Sequence, residues 1–362
     1  MTTNNKKNLF TVFFSIFITL FLIEIFFKFI VYKDLENLRN NPYERFMLFE
    51  EGEVFQNIEK IVKYYPNKRI LSETYYKVDG EFLKEYSYEI TTNNFGLVQN
   101  TKIEKDKKSI LFLGDSIAEG QGVSPWINNF KGKYKDYQII NGSIFGMGPA
   151  QFELMEKHIS KDFNVKKVIF YYIGDIMRRG TPILPLQTLD CLKSYLNCKG
   201  NENMYGFPLR DEKPNNFLKF LAKYRDEQGK IKSKNFKYYR RKIKSSLSSL
   251  YIIKMPLGFI KQKFYNSNNE RIMRNFRSID NLYKKYKNNI YFIQLMTKAG
   301  VLANTKSYDT LYAEKYIKKI TDKHFYCDFE NDINNFFVID GHPNAKGYQS
   351  LYKCTKKILD EN

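Results

Sequence analysis

Histidine is scarce in this chain, with three in 362 residues. No group of histidines and cysteines has the spacing of a metal site, so no metal is expected. A glycine-rich phosphate loop and a dinucleotide-binding fingerprint are also missing, which excludes nucleotide-dependent chemistry and leaves no cofactor to expect. No internal repeat or low-complexity block appears. Cysteine is limited to four residues. An even number suits two disulfides in an oxidising compartment, Cys191 with Cys198 and Cys327 with Cys354, while four free thiols are the other reading. Acidic residues are outnumbered, 39 Asp and Glu against 59 Lys and Arg, for a formal net charge of +20. Between Gln228 and Asn269 there are eleven Lys or Arg and no acid at all. That run reads either as a solvated basic helix or, over 230–263, as a surface that meets anionic lipid headgroups or an acidic glycan. Nucleic acid is not an expected partner.

Apolar residues, by contrast, are plentiful. A hydrophobic content of 43% with 17% aromatics lets the chain bury a sizeable core and sets disorder aside. Residues Leu9 to Val31 form an apolar stretch broken only by Glu24, Lys28 and a few hydroxyls. At about 1.5 Å per residue a helix of that length covers a roughly 30 Å hydrocarbon layer, and no small-x-small cleavage site follows it. The expectation is a single-pass membrane anchor. Basic residues lie on both sides of it, Lys6 and Lys7 before and Lys33, Arg39 and Arg45 after, so charge does not orient the span. An N-terminal anchor ahead of a large domain suggests an extracytoplasmic location for that domain.

The chain divides on this reading into a tail (1–8), the anchor (9–31), a membrane-proximal α+β segment (32–92) and a main domain (93–362) with an insertion at 176–268. In the proximal segment, Phe46, Leu48, Phe49, Val54 and Ile58 have helix-like spacing, strand-like pieces follow at 74–78 and 86–91, and no chemistry is visible. From Ser109 onward strands alternate with helices. Strands are expected at 109–113, 137–141, 167–173, 289–295 and 324–327, with helices after Ser116, from Pro149, and at about 270–287, 308–322 and 344–359. Such alternation implies an α/β fold, a parallel sheet covered on both faces with ligands at the carboxyl ends of its strands.

The most informative stretch is Ile110-Leu111-Phe112-Leu113-Gly114-Asp115-Ser116, followed by Gly120-Gln121-Gly122-Val123. A serine between a strand and a helix presents its hydroxyl beside backbone N–H groups and the positive end of the helix dipole, as a nucleophile requires. These residues resemble block I of the SGNH (GDSL-type) hydrolases, a family of serine esterases and glycan acyl-processing enzymes. Asn141-Gly142-Ser143-Ile144-Phe145-Gly146 resembles block II, and Asp340-Gly341-His342-Pro343-Asn344 resembles block V. Asn93-Asn94-Phe95-Gly96-Leu97 resembles an element that often precedes block I in membrane-associated members. The resemblance implies a three-layer α/β/α, flavodoxin-like sheet, Ser116 as nucleophile, His342 as base, Asp340 as the orienting acid, and an oxyanion hole from the N–H groups of Ser116 and Gly146. Asp328 or Asp332 are alternatives to Asp340, because the spacing here is Asp-x-His and the commoner form is Asp-x-x-His. Block III departs from the family. If Asp175 matches its acid, Gly174 stands where an oxyanion asparagine belongs, and Tyr172 or a fixed water is left to substitute. The implied function is a serine esterase or O-acyltransferase for acyl groups, acetyl above all, on an envelope polysaccharide or related glycan. The other reading is a catalytically weak module that binds glycan.

Overall fold

The structure is a computed structural model that describes residues 3–26, 43–123, 125–174, 176–180, 183–198, 206–209, 218–219, 270–303, 306 and 308–361. Asp175, the basic run over 230–263 and most of the 176–268 insertion lie outside the described residues. The chain forms two units, one of Met1–Pro42 with Lys223–Asn266 and one of Tyr43–Ala222 with Ser267–Asn362.

In the first unit the described element is helix α1, Thr3–Phe26. It covers the front part of the expected anchor, and residues 27–31 lie outside the described residues. Ten of its large apolar side chains are exposed, among them Val12, Phe14, Phe17, Phe21 and Leu22. Among the described residues, however, no helix is long and apolar enough to cross a membrane.

The second unit begins with strands. Strand β1 (Glu44–Phe49), the pair β2 (Phe55–Ile58) and β3 (Ile61–Tyr64), and the long β4 (Arg69–Val78) and β5 (Glu81–Thr91) occupy the segment in which a helix was expected around Phe46 to Ile58. Burial accounts for the difference. Residues 46–49 are buried on both faces of β1, so the apolar run has no alternation to mark it as a strand. Phe46 and Leu48 pack with Tyr75 and Phe82, and Phe49 packs edge-on against Phe55. β1 and β4 are antiparallel, with Arg45 opposite Tyr76. β4 and β5 pair likewise, but the register jumps from Thr74 opposite Tyr86 to Tyr75 opposite Lys84. Glu85 is thereby left unpaired in a bulge.

The strand-and-helix alternation follows from Ser109. Strands β6 (Ser109–Leu113), β7 (Gln138–Asn141), β8 (Val165–Tyr172), β10 (Ile290–Leu295) and β11 (His324–Cys327) form a parallel sheet in the order β11-β10-β8-β6-β7, and the two-residue β9 (Phe207–Pro208) joins β1 instead. The helices after α1 are α2 (Ser116–Glu119), α3 (Pro149–Ser160), α4 (Leu186–Lys193), α5 (Glu270–Tyr286), α6 (Lys298–Ala303), α7 (Tyr308–Ile320) and α8 (Ala345–Glu361). Alternate strand residues point to opposite faces, and both faces are covered. On one, Phe112, Tyr171 and Tyr291 pack with Trp126 and with Tyr348 and Leu351 of α8. On the other, Phe152 of α3 meets Phe170 edge-on and Phe170 lies tilted against Phe292, with 5.1 Å between centroids at each step. The architecture is therefore a three-layer α/β/α sheet with an antiparallel sheet beside it in the same unit.

Disulfides join Cys191 to Cys198 and Cys327 to Cys354. The second ties the end of β11 to α8 across a sequence separation of 27, so it restricts the unfolded chain more than the first, whose separation is 7. Replacing Cys327 and Cys354 together by serine should lower unfolding free energy by about 3 to 4 kcal/mol, against about 2 to 3 for Cys191 and Cys198. Denaturant titration of the full chain would check this, and equal losses would contradict the loop-length reasoning.

Candidate active site

Strand β6 stops at Gly114 because the next turn must pass close to its neighbours. A Cβ on Gly114 would come within 2.4 Å of the Ala118 Cβ. Asp115 then caps α2, its carboxylate accepting from the Ile117 N–H at 3.0 Å. Gly120 closes the helix in the left-handed conformation, φ 104°, and its N–H bonds to the Ser116 carbonyl. The hydroxyl of Ser116 thus sits at the mouth of a capped helix at the carboxyl end of the parallel sheet.

His342 reaches it from the other end of the chain. His342 Nε2 lies 2.8 Å from Ser116 Oγ, and Nδ1 lies 2.6 Å from Asp340 Oδ1. An ionised carboxylate only accepts, so Nδ1 carries the proton and the Nε2 lone pair faces the serine hydroxyl. The short Asp-x-His spacing has a geometric effect: the backbone N–H of His342 also donates to Oδ1, at 3.2 Å. One carboxylate oxygen therefore serves the histidine twice, and Oδ2 is left for other partners. The alternative acids are committed elsewhere, since Asp328 and Asp332 cap short turns through the N–H groups of Glu330 and Asn334.

Those other partners come from the antiparallel sheet, where the sequence showed no chemistry. Tyr86 of β5 donates its hydroxyl to Asp340 Oδ2 at 2.7 Å, and Arg45 of β1 pairs with the same oxygen at 3.2 Å. Tyr86 in turn accepts from Arg45 Nη2 at 2.8 Å and from Gln121 Nε2 at 3.0 Å. Burial alone would favour neutral Asp340, but His342, Arg45 and the hydrogen bonds from His342 and Tyr86 hold it well below the usual carboxylate range. The bulge at Glu85 turns its carboxylate onto the Ile339 N–H, at 2.8 Å. Lys298 donates to the carbonyls of Phe337 and Val338. The loop that bears Asp340 and His342 is thus held on both sides.

Gly146, in the turn after β7, has φ 71°, a backbone setting that glycine takes at little cost. Arg179 bridges this loop and the turn that bears Ser116, donating to Asp115 Oδ2 at 2.7 Å and to the Met147 carbonyl at 3.4 Å. Sequence inspection passed over Arg179, Arg45 and Tyr86, because each acts through tertiary placement and belongs to no motif. Gly174 is buried in the turn after β8. Tyr172 does not fill the place of the missing asparagine: its hydroxyl is engaged by Gln294 at 3.2 Å and His324 at 2.6 Å. His158 packs against Phe95, 5.1 Å between centroids. Among the described residues no group of acids, histidines and cysteines is arranged to hold a metal.

Fold and geometry together are those of an α/β protein with a Ser-His-Asp chain at the carboxyl ends of parallel strands. No family model matches the chain, and no curated protein does. Among solved structures it is similar to a GDSL-like lipase from Bacteroides thetaiotaomicron, at 13% identity over 70% of this chain and 88% of that one, TM-score 0.31. It is also similar to a family two carbohydrate esterase from Cellvibrio japonicus (8% identity, 88% and 99% covered, TM-score 0.29) and to an acetyl xylan esterase from Butyrivibrio proteoclasticus (11% identity, 88% and 97% covered, TM-score 0.29). With TM-scores this low, these likenesses transfer no residue role.

Beneath the serine, Glu119 is buried with its carboxyl held by the Tyr64 hydroxyl at 2.6 Å and by the Phe145 N–H. Burial pushes it up to about 8, against the effect of both hydrogen bonds. Folding therefore retains a proton that the unfolded chain releases, and stability should fall as pH rises from about 4.5 toward about 8. Glu119→Gln keeps the acceptor and removes the proton equilibrium, so denaturant titrations at pH 5 and pH 8 should show a smaller loss for the variant. Equal losses would mean that Glu119 is ionised in the folded protein.

Proposed function

We propose that this chain is an SGNH-type serine enzyme that removes or transfers an acyl group, acetyl above all, on an envelope polysaccharide or related glycan. The observation that carries the chemistry is the unbroken chain of contacts from Ser116 through His342 to Asp340. Ser116 Oγ attacks the ester carbonyl while His342 Nε2 takes its proton, and Asp340 keeps the ring in the tautomer that can do so. The N–H groups of Ser116 and Gly146 receive the charge that develops on the carbonyl oxygen. His342 then returns the proton to the departing alcohol, leaving an acyl-serine. Water or a sugar hydroxyl resolves that ester by the same steps in reverse, which is the only distinction between hydrolase and transferase.

Support for a glycan comes from the sequence resemblance to glycan acyl-processing members. Support for membrane attachment comes from the apolar sequence 9–31 and the exposed apolar side chains of α1. An extracytoplasmic main domain accords with the two disulfides. The basic run over 230–263 supplies the charge for contact with anionic lipid or acidic glycan. The reading as a weakly catalytic binding module is favoured by one observation, glycine at position 174 where the family has its oxyanion asparagine.

The full chain should release p-nitrophenol from its acetate ester and be labelled at Ser116 by a fluorophosphonate probe. Ser116→Ala should lose the label and slow turnover by about a thousandfold or more. Unlabelled native protein with no turnover would sink the enzymatic reading in favour of the binding module.

A further inference from the structure

The acid of a serine triad has two tasks that pull against each other. It must fix the imidazole, yet if its whole charge falls on the ring it makes the protonated ring too stable and the free base too scarce at moderate pH. In this protein a cation stands on the far side of that acid. Oδ1 of Asp340 takes both N–H groups of His342, and Oδ2 takes Tyr86 and Arg45. Arg45 and the Gln121 amide nitrogen donate to the Tyr86 hydroxyl, which donates to Asp340, and Thr74 of β4 stands within hydrogen-bonding reach of the same hydroxyl. The Asp340 carboxylate is thus met by donors at both oxygens, as suits its ionised form.

We propose that Arg45 and Tyr86 are positioning residues that divide the charge of Asp340 between the His342 loop and the antiparallel sheet, holding the His342 ring in place without over-stabilising its protonated form. The proposal rests on reading Ser116, His342 and Asp340 as a triad, and it assigns a part in catalysis to a segment that carries no motif. Other polar and charged groups face this cluster from each packed element. Tyr76 of β4 and Tyr88 of β5 stand beside Arg45, Tyr76 also within hydrogen-bonding reach of Asp340. Lys298 at the start of α6 feels both Glu85 and Asp340 but spends its ammonium on the loop carbonyls. Asp115 is paired with Arg179, away from Oδ2. The Arg45 cation and the Tyr86 hydroxyl lie at 3.2 and 2.7 Å from Oδ2, with Tyr76 as a further neutral group beside the carboxylate.

Removing the cation returns the full field of the carboxylate to the ring, so the ring should hold its proton to higher pH. The test uses the full chain labelled at histidine, whose three ring signals can be followed by NMR during a pH titration, with His342 assigned by its loss in His342→Gln. Arg45→Gln should raise the titration midpoint of His342 by about one pH unit. Tyr86→Phe should raise it by about half as much, and Arg45→Lys should leave it within a few tenths of the wild-type value. The acid limb of kcat/KM for p-nitrophenyl acetate should move in the same direction by the same amount. A purely structural role for Arg45 would lower stability without moving the midpoint. An unmoved midpoint in folded Arg45→Gln overturns the proposal, and if that variant does not fold, an unmoved midpoint in Tyr86→Phe overturns it. The NMR titration needs no substrate, so a midpoint that shifts in a chain without esterase activity would uphold the charge division while removing the enzymatic reading.

Discussion

A buried carboxylate stays ionised only where its charge is met, and Asp340, 4% exposed at its side chain, is met on both oxygens. One oxygen faces the loop that follows β11, and the other faces an antiparallel sheet built from residues 44–91. Much of the local architecture serves that requirement. The bulge in β5 places Glu85 on the loop backbone, Lys298 holds the same loop from α6, and the pairing of β1 with β4 sets Arg45 opposite Tyr76. Displacing β1 or β5 would leave the carboxylate buried and take Arg45 or Tyr86 from it. Loss of one partner from a buried pair costs far more than the pair itself contributes.

The two sides of the serine are built on different principles. Toward Asp340 the contacts are ionic and link the His342 loop to the antiparallel sheet. Around Asp115 and Gly146 they are mostly backbone: the left-handed turn at Gly146, the capped helix after Asp115, and the single guanidinium of Arg179 that joins the two loops. Arg179 is 19% exposed at its side chain and paired, which suits a brace better than a group that moves with the substrate.

Much of this was legible in the sequence where the signal was local. The strand-to-helix turn at Ser116, the glycine at 146 and the Asp-x-His pair are short-range patterns, and the structure brings Ser116, His342 and Asp340 into one hydrogen-bonded chain. The alternation of strands and helices after Ser109 was legible for the same reason, since each element carries its own period. Residues 44–58 were not, because a strand buried on both faces has no period to read, and Phe46 to Phe49 imitate a helical face. Arg45, Tyr86 and Arg179 gave no signal, because their meaning lies in partners distant along the chain. The Tyr172 hydroxyl was sought for the oxyanion and is found between Gln294 and His324, on strands that sequence inspection could list but not place side by side.

The contact between Tyr86 and Asp340 joins residues 254 apart in sequence, and that between Ser116 and His342 joins residues 226 apart. Closing loops of that size is entropically costly, so such contacts weigh against fast folding. During synthesis the serine and the antiparallel sheet emerge long before the histidine and its acid. A partly made chain therefore carries Ser116 without His342 or Asp340, and the hydrogen-bonded chain of the three can close only once the loop ahead of the final helix has been made.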